Sequence, residues 1–245
     1  MKKLLNSSLI LCATLFFAAH APAQRRRPAP PPTRMPKKSS PPATPVKPAP
    51  APTPTPTPTP APTPATEPFD AATVEQMAAQ CVRLETEAGA IELRLIPAAA
   101  PTTARNFLNL AATGAYDTTT FSRVVKNFVI QGGNLSTRAE MTPALAARSR
   151  RTIPDEPNDI KHVRGIVSMA RPDTPNGATT NFFILVSDAP YLDGSFAAFG
   201  RVTSGMEVVD AINQAPVEDE KPVAPVRVKR VVVATCPAAP PVPAP

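Results

Sequence analysis

The 245-residue chain has no tryptophan, two tyrosines, two histidines and three cysteines. These shortages exclude several chemistries. His20 falls in a leader expected to be removed, so a histidine-centred triad would have to use His162, and no Gly-x-Ser-x-Gly turn accompanies it. Zinc sites need Cys and His clustered at short spacing, and the sequence has no such cluster. A phosphate-cradling Gly-x-x-x-x-Gly-Lys loop is missing too, and the carboxylates are scattered rather than paired. The expected chemistry therefore uses no metal, no cofactor and no covalent intermediate. The only long apolar run, Leu9 to Ala19, is too short to span a bilayer.

Proline is what the chain has in excess, with 35 residues against nine glycines, mostly before Phe69 and partly after Cys236. Lys2 and Lys3, the apolar run and the small residues Ala21-Pro22-Ala23 read as a secretory signal over residues 1–23. Residues 24–68 read as a Pro/Ala/Thr-rich disordered tether, which has no apolar face to bury. Its expected conformation is polyproline II, spanning roughly 140 Å at about 3.1 Å per residue if fully extended. Residues 69–236 are long enough for one domain with a core, and 237–245 form a second Pro/Ala-rich disordered tail. The expected location is outside the cytoplasm, with the periplasm first and the cell surface or medium as alternatives.

The formal charge of +7 misleads if read globally. Nine of the 26 basic residues lie before Phe69, with only Glu67 of the 19 acidic ones. The foldable part is thus near neutral, and nucleic acid is not an expected partner. Arg25, Arg26 and Arg27 could give the tether a weak contact with the cell envelope. After cleavage two cysteines remain, Cys81 and Cys236, at the two ends of the foldable part. In an oxidising compartment they are a disulfide candidate; two unpaired or buried thiols is the other reading.

Alternation predicts strands over Cys81 to Thr86 and Ala90 to Ile96, joined as a hairpin at Gly89. Pro101 opens a helix whose Ala104, Phe107, Leu108 and Ala111 repeat at helical spacing until Gly114. Phe121 to Gln131 is strand-rich, with a bend near Lys126-Asn127 and with Phe121, Arg123 and Val125 expected on one face. Leu135 to His162 reads as an irregular surface excursion. Three further strands are expected over Gly165 to Ala170, Phe182 to Ser187 and Phe196 to Val202. A second helix follows over Gly205 to Gln214, then a last strand over Val226 to Ala234. Short strands with two helices predict a mainly β barrel or sandwich with helical plugs.

Residues 121–134, FSRVVKNFVIQGGN, are followed by Ser168-Met169-Ala170-Arg171 and then by Asn176-Gly177-Ala178-Thr179-Thr180-Asn181-Phe182-Phe183-Ile184. Tyr191-Leu192-Asp193-Gly194 and Phe199-Gly200-Arg201-Val202 come next. In this order and spacing the blocks resemble the cyclophilins, particularly the exported bacterial members, over about Val82 to Thr235. The resemblance implies a closed eight-stranded antiparallel β-barrel capped by two α-helices. It also implies a reaction, rotation about Xaa-Pro bonds in other polypeptides. Unaided, that step crosses about 18–20 kcal/mol of amide resonance and takes tens to hundreds of seconds.

By resemblance, Arg123 is the catalytic donor, aimed at the prolyl nitrogen as it becomes pyramidal. Phe128, Val129, Phe183 and Leu192 match the pocket for the proline ring. Gln131 matches the residue that orients the arginine and meets substrate backbone, and Ala170 and Arg171 match the rim. Several positions depart from the family. Ser122 stands where many members have histidine, Val129 replaces the usual methionine, and Asn181 replaces a glutamine. Tyr191 replaces the tryptophan of cyclosporin-sensitive members, which should weaken that ligand, and Phe196 replaces a common histidine. Asn181, Tyr191 and Phe196 remain expected substrate contacts. The resemblance also makes the first and last strands neighbours, so Cys81 and Cys236 could meet. The expected partners are proline-containing unfolded or extended polypeptides, and the protein is expected to be a monomer. The alternative is a non-catalytic module that grips proline segments without turning them over.

Overall fold

The computed structural model describes residues 66–237. The signal segment, the tether up to residue 65 and the tail from residue 238 lie outside the described residues. A short helix α1 (Val74–Ala78) leads into strand β1 (Gln80–Thr86). Thr73 and Gln76 close a reciprocal capping box at the start of α1. The next strand is β2 (Gly89–Leu95). Val82, Leu84, Ile91, Leu93 and Leu95 are buried on one face, while Arg83, Glu85 and Arg94 face outward or to the rim. Gly89, at φ 136°, lets the chain reverse, and the Thr86 hydroxyl donates to its carbonyl at 2.6 Å.

Helix α2 (Pro101–Ala112) starts with Pro101, and its N-cap Ala100 has no side chain able to accept a hydrogen bond. Glu156, from the distant surface excursion, takes that role: the N–H groups of Thr102 and Thr103 donate to its carboxylate at 2.9 and 2.7 Å. The buried face of α2 drives Phe107 among Tyr116, Phe182 and Phe199, with ring centroids 5.0–5.3 Å away. The remaining major elements are β3 (Arg123–Val125), β4 (Val129–Gly132), α3 (Pro143–Arg148), β5 (Ile166–Met169), β6 (Phe182–Leu185), β7 (Ala198–Ser204) and α4 (Met206–Gln214). A tight hairpin, β8 (Val217–Glu218) and β9 (Lys221–Pro222), precedes β10 (Val228–Thr235).

Eight strands form one antiparallel sheet in the order β10-β1-β2-β7-β5-β6-β4-β3. Helix α2 packs against β7 and β10, and α4 against β2, β3 and β4. The end strands of the sheet do not share a ladder. They meet where Thr120 bridges Arg227, and where the N–H groups of Phe121 and Thr118 donate to Val226 and Val228. The eight antiparallel strands agree with the expected barrel, while its closure is a short bridge rather than a full pairing. Helices α2 and α4 are the two expected from the sequence.

Three expectations need correction. Phe121 does not share a face with Arg123. It lies before β3, where the chain leaves strand alternation to bridge β10, and it is fully buried beside Val124 in the core. The excursion from Leu135 to His162 is not wholly irregular, since it holds a 3-10 turn at Leu135–Thr137 and α3. Phe196 sits ahead of β7 rather than in it. At the opposite side of the sheet, β1 pairs with β10, and a disulfide joins Cys81 to Cys236 across Cα atoms 4.8 Å apart.

Candidate active site

The site is built on the β3–β4 hairpin. Arg123 pairs with Gln131 across it, and Gln131 pairs with Phe183 on β6, which pairs in turn with Ser168 on β5. Directly opposed residues project from the same face of a sheet, so arginine, glutamine and phenylalanine form one row. The hairpin turn is held from below. Asn127 adopts a left-handed φ of 56°, and its N–H donates to Asn213 Oδ1 at 2.9 Å. Asn213, fully buried on α4, also donates to the carbonyls of Val125 and Val129 at 2.8 and 3.2 Å. Three backbone groups of the turn are thereby satisfied by one amide, which sets where Phe128 and Val129 emerge.

The far wall is a 3-10 turn, Pro190–Leu192, carrying Tyr191 and Leu192. His162 fastens it to β5. Its Nδ1 lies 3.2 Å from Asp193, its Nε2 lies 3.0 Å from the Ser168 hydroxyl, and its carbonyl accepts from Ala189 N–H at 2.7 Å. This connectivity is that of a Ser-His-Asp triad, yet Ser168 is 0% exposed and His162 1%. No substrate reaches the hydroxyl, so the three residues serve as a strut. The His162 backbone N–H, donating at 2.8 Å, together with Lys161 and the imidazole, holds the Asp193 carboxyl below its ordinary value of 3.8. The Arg164 guanidinium does the same for Asp210. A carboxyl depressed in the folded state contributes stability above its unfolded pKa and loses it as pH falls through the folded one. The melting temperature is therefore expected to stay level from pH 7 to 5 and to fall below about pH 4. In Asp193→Asn the neutral melting temperature should be lower and the acid slope shallower; scanning calorimetry at stepped pH measures both.

The row and the far wall enclose a cavity of about 230 Å³. Ten of the eleven site residues named from the sequence line it: Arg123, Phe128, Val129, Gln131, Ala170, Arg171, Phe183, Tyr191, Leu192 and Phe196. Drug-sized pockets run from about 300 Å³ upward, so this one suits a single ring. Phe183 meets Phe196 edge-on at 5.7 Å, the Arg171 guanidinium lies 5.1 Å over Phe196, and Phe128 and Tyr191 rings are 5.8 Å apart. Tyr191 is the exposed aromatic of the lining, at 69%. Asn181 is not in this cavity. It borders the adjoining depression with Gln131, Ala170, Arg171, Pro172, Gly177 and Thr179. That segment is fixed by Asn106 donating to the Thr179 carbonyl and by the Tyr116 hydroxyl donating to the Thr180 carbonyl. Burial pushes the Tyr116 phenol far above its usual pKa, so it stays a donor.

Arg123 donates through Nε to Glu220 at 2.7 Å and through a terminal nitrogen to Gln131 at 3.4 Å. Glu220, Asn213 and the His162 strut were not singled out from the sequence as parts of the site. Of these, His162 was weighed there only for a triad, Ser168 and Asp193 stood in the quoted blocks without a role, and Glu220 lies in the acidic run Glu218-Asp219-Glu220 before the last strand.

The family described as "Cyclophilin type peptidyl-prolyl cis-trans isomerase/CLD" matches residues 81–233, more than half of the chain. The chain belongs to the cyclophilin-type isomerases. Among cyclophilin relatives, the Arabidopsis thaliana peptidyl-prolyl cis-trans isomerase CYP23 is 37% identical over 141 residues, covering 57% of this chain and 62% of that protein. Peptidyl-prolyl cis-trans isomerase A of Dickeya dadantii is 36% identical over 157 residues, covering 62% of this chain and 80% of its own. A crystal structure of a Cryptosporidium parvum cyclophilin type isomerase, obtained in the presence of the dipeptide Ala-Pro, superposes with a TM-score of 0.56 at 31% identity. It covers 64% of this chain and 99% of the other. The cyclophilin fold thus accounts for the described sheet, and the matched span begins at one cysteine of the disulfide.

Proposed function

We propose that this cyclophilin domain accelerates Xaa-Pro rotation in exported polypeptides by an arginine-assisted, non-covalent route. One observation carries the proposal: the Arg123 guanidinium and the apolar wall of Phe128, Val129, Phe183 and Leu192 border the same ring-sized cavity. The aromatic and aliphatic wall takes the proline ring. As the amide twists, resonance is lost and the prolyl nitrogen gains a lone pair. A fixed N–H donor beside the slot then binds the twisted amide more tightly than either planar form, which is the requirement for lowering the barrier. Guanidinium suits this better than an ammonium because its donors lie in a rigid plane. Gln131, which accepts from Arg123, leaves its own amide N–H donors for the substrate backbone. Ala-Pro, the dipeptide present with the Cryptosporidium relative, is the simplest probe of the slot.

Export is the second part of the proposal. It is supported by the Lys2-Lys3 start, the short apolar run and the placing of the domain's two cysteines at adjacent strand ends. Outside the cytoplasm the enzyme meets newly translocated chains whose folding waits on proline isomers, a step of tens to hundreds of seconds. The test uses a secreted protein whose refolding is limited by a proline isomer. A substoichiometric amount of the full mature chain should shorten the slow phase, and mass analysis of envelope extract should find the chain beginning near Gln24. An unchanged slow phase refutes the foldase role; an intact Met1 in the extract refutes processing.

A further inference from the structure

Arg123 is a long side chain with nearly half of its surface in solvent. A donor that must meet a twisting amide in one orientation has to be held there. Gln131 holds it loosely, at 3.4 Å, while Glu220 holds the Nε edge at 2.7 Å. That carboxylate comes from the turn Glu218-Asp219-Glu220-Lys221 of the β8–β9 hairpin, whose central residues have φ of 47° and 64°. Two positive φ values mark a hairpin turn that favours Asn-Gly or Asp-Gly. Asp219 fits the first position. The second, where glycine is cheapest, carries a glutamate in left-handed backbone. The same residue accepts the Val124 N–H at 2.8 Å, so the turn is docked on the β3 edge beside Arg123. A residue kept at a disfavoured backbone position, with its charged end on the donor of the site, points to function rather than to turn formation.

We propose that Glu220 is a positioning residue for Arg123, gripping the guanidinium by its Nε edge so that the terminal nitrogens face Gln131 and the substrate. The assignment rests on the reading of Arg123 as the donor. Its test separates the two. In the full mature chain, Glu220→Gly should lower kcat for an Ala-Pro peptide about tenfold with KM changed less than about twofold. The melting temperature should stay level or rise, because glycine relieves the turn. Glu220→Gln keeps an acceptor oxygen at the same reach and should retain kcat within about threefold. A merely structural role gives the opposite pattern, with kcat lost only in step with melting temperature. That pattern, or wild-type kcat in Glu220→Gly while Arg123→Ala is impaired, overturns the assignment and leaves the Arg123 reading intact. Full activity in Arg123→Ala removes the reading itself, and the assignment with it.

Discussion

Arg123→Ala is expected to reduce kcat/KM for an Ala-Pro peptide by about 10²–10³-fold, the usual loss when one preorganised donor to a transition state is removed. The loss should fall mainly on kcat. On the proposed mechanism the planar substrate gains most of its affinity from the apolar wall, which the substitution leaves in place, whereas the guanidinium contributes once the amide has twisted. Arg123→Lys should recover only part of the rate, because a rotating ammonium replaces a planar fork that two neighbours orient. Thermal stability should scarcely change in either variant. Arg123 is exposed and its ion pair with Glu220 is solvated on both sides, and such pairs contribute little to folding. Stopped-flow or exchange spectroscopy together with calorimetry on the same preparations distinguishes this from a general loss of fold. Wild-type kcat in Arg123→Ala would show that the slot alone performs the reaction.

Opening the Cys81–Cys236 bridge is expected to cost between about 2 and about 5 kcal/mol of folding stability. The upper figure follows from the length of chain enclosed, a separation of 155 residues, in the chain-entropy account. The bridge ties β1 to β10, the pair at one end of the sheet, and none of the cavity residues lies on either strand. The double variant Cys81→Ser, Cys236→Ser should therefore unfold at markedly lower urea with an unchanged or larger m-value, while its peptide turnover at 20 °C stays that of the parent. Equal urea midpoints for the oxidised and reduced forms would show that the β1–β10 ladder needs no staple.

Much of this was legible in the sequence because it is local. Alternation over Cys81 to Leu95 gives a hairpin, and the helical spacing from Ala104 to Ala111 gives α2. The ordered blocks from Phe121 to Val202 named the cavity residues, since their chain order carries the family's geometry with it. Asn181, expected as a substrate contact rather than a pocket residue, borders the adjoining depression, which shares Gln131, Ala170 and Arg171 with the cavity. What was not legible depends on partners far along the chain. Glu156 caps α2 from 54 residues away, Asn213 reaches the turn at Asn127 across 86, and Glu220 reaches Arg123 across 97. No periodicity encodes such pairings. Phe121 was misplaced for a related reason. Strand alternation predicts its face only if the strand begins there, and a bridge to β10 takes the chain inward before β3 starts.

The central claim, that a single ring-sized slot beside Arg123 binds a prolyl amide best in mid-rotation, is tested most directly by two-dimensional exchange NMR on an Ala-Pro peptide with a trace of the protein. Cross peaks linking the cis and trans resonances within seconds, weakened at least a hundredfold by Arg123→Ala, are the predicted result. A peptide whose resonances shift on binding while cis and trans remain unlinked would contradict it and make the domain a proline-binding module.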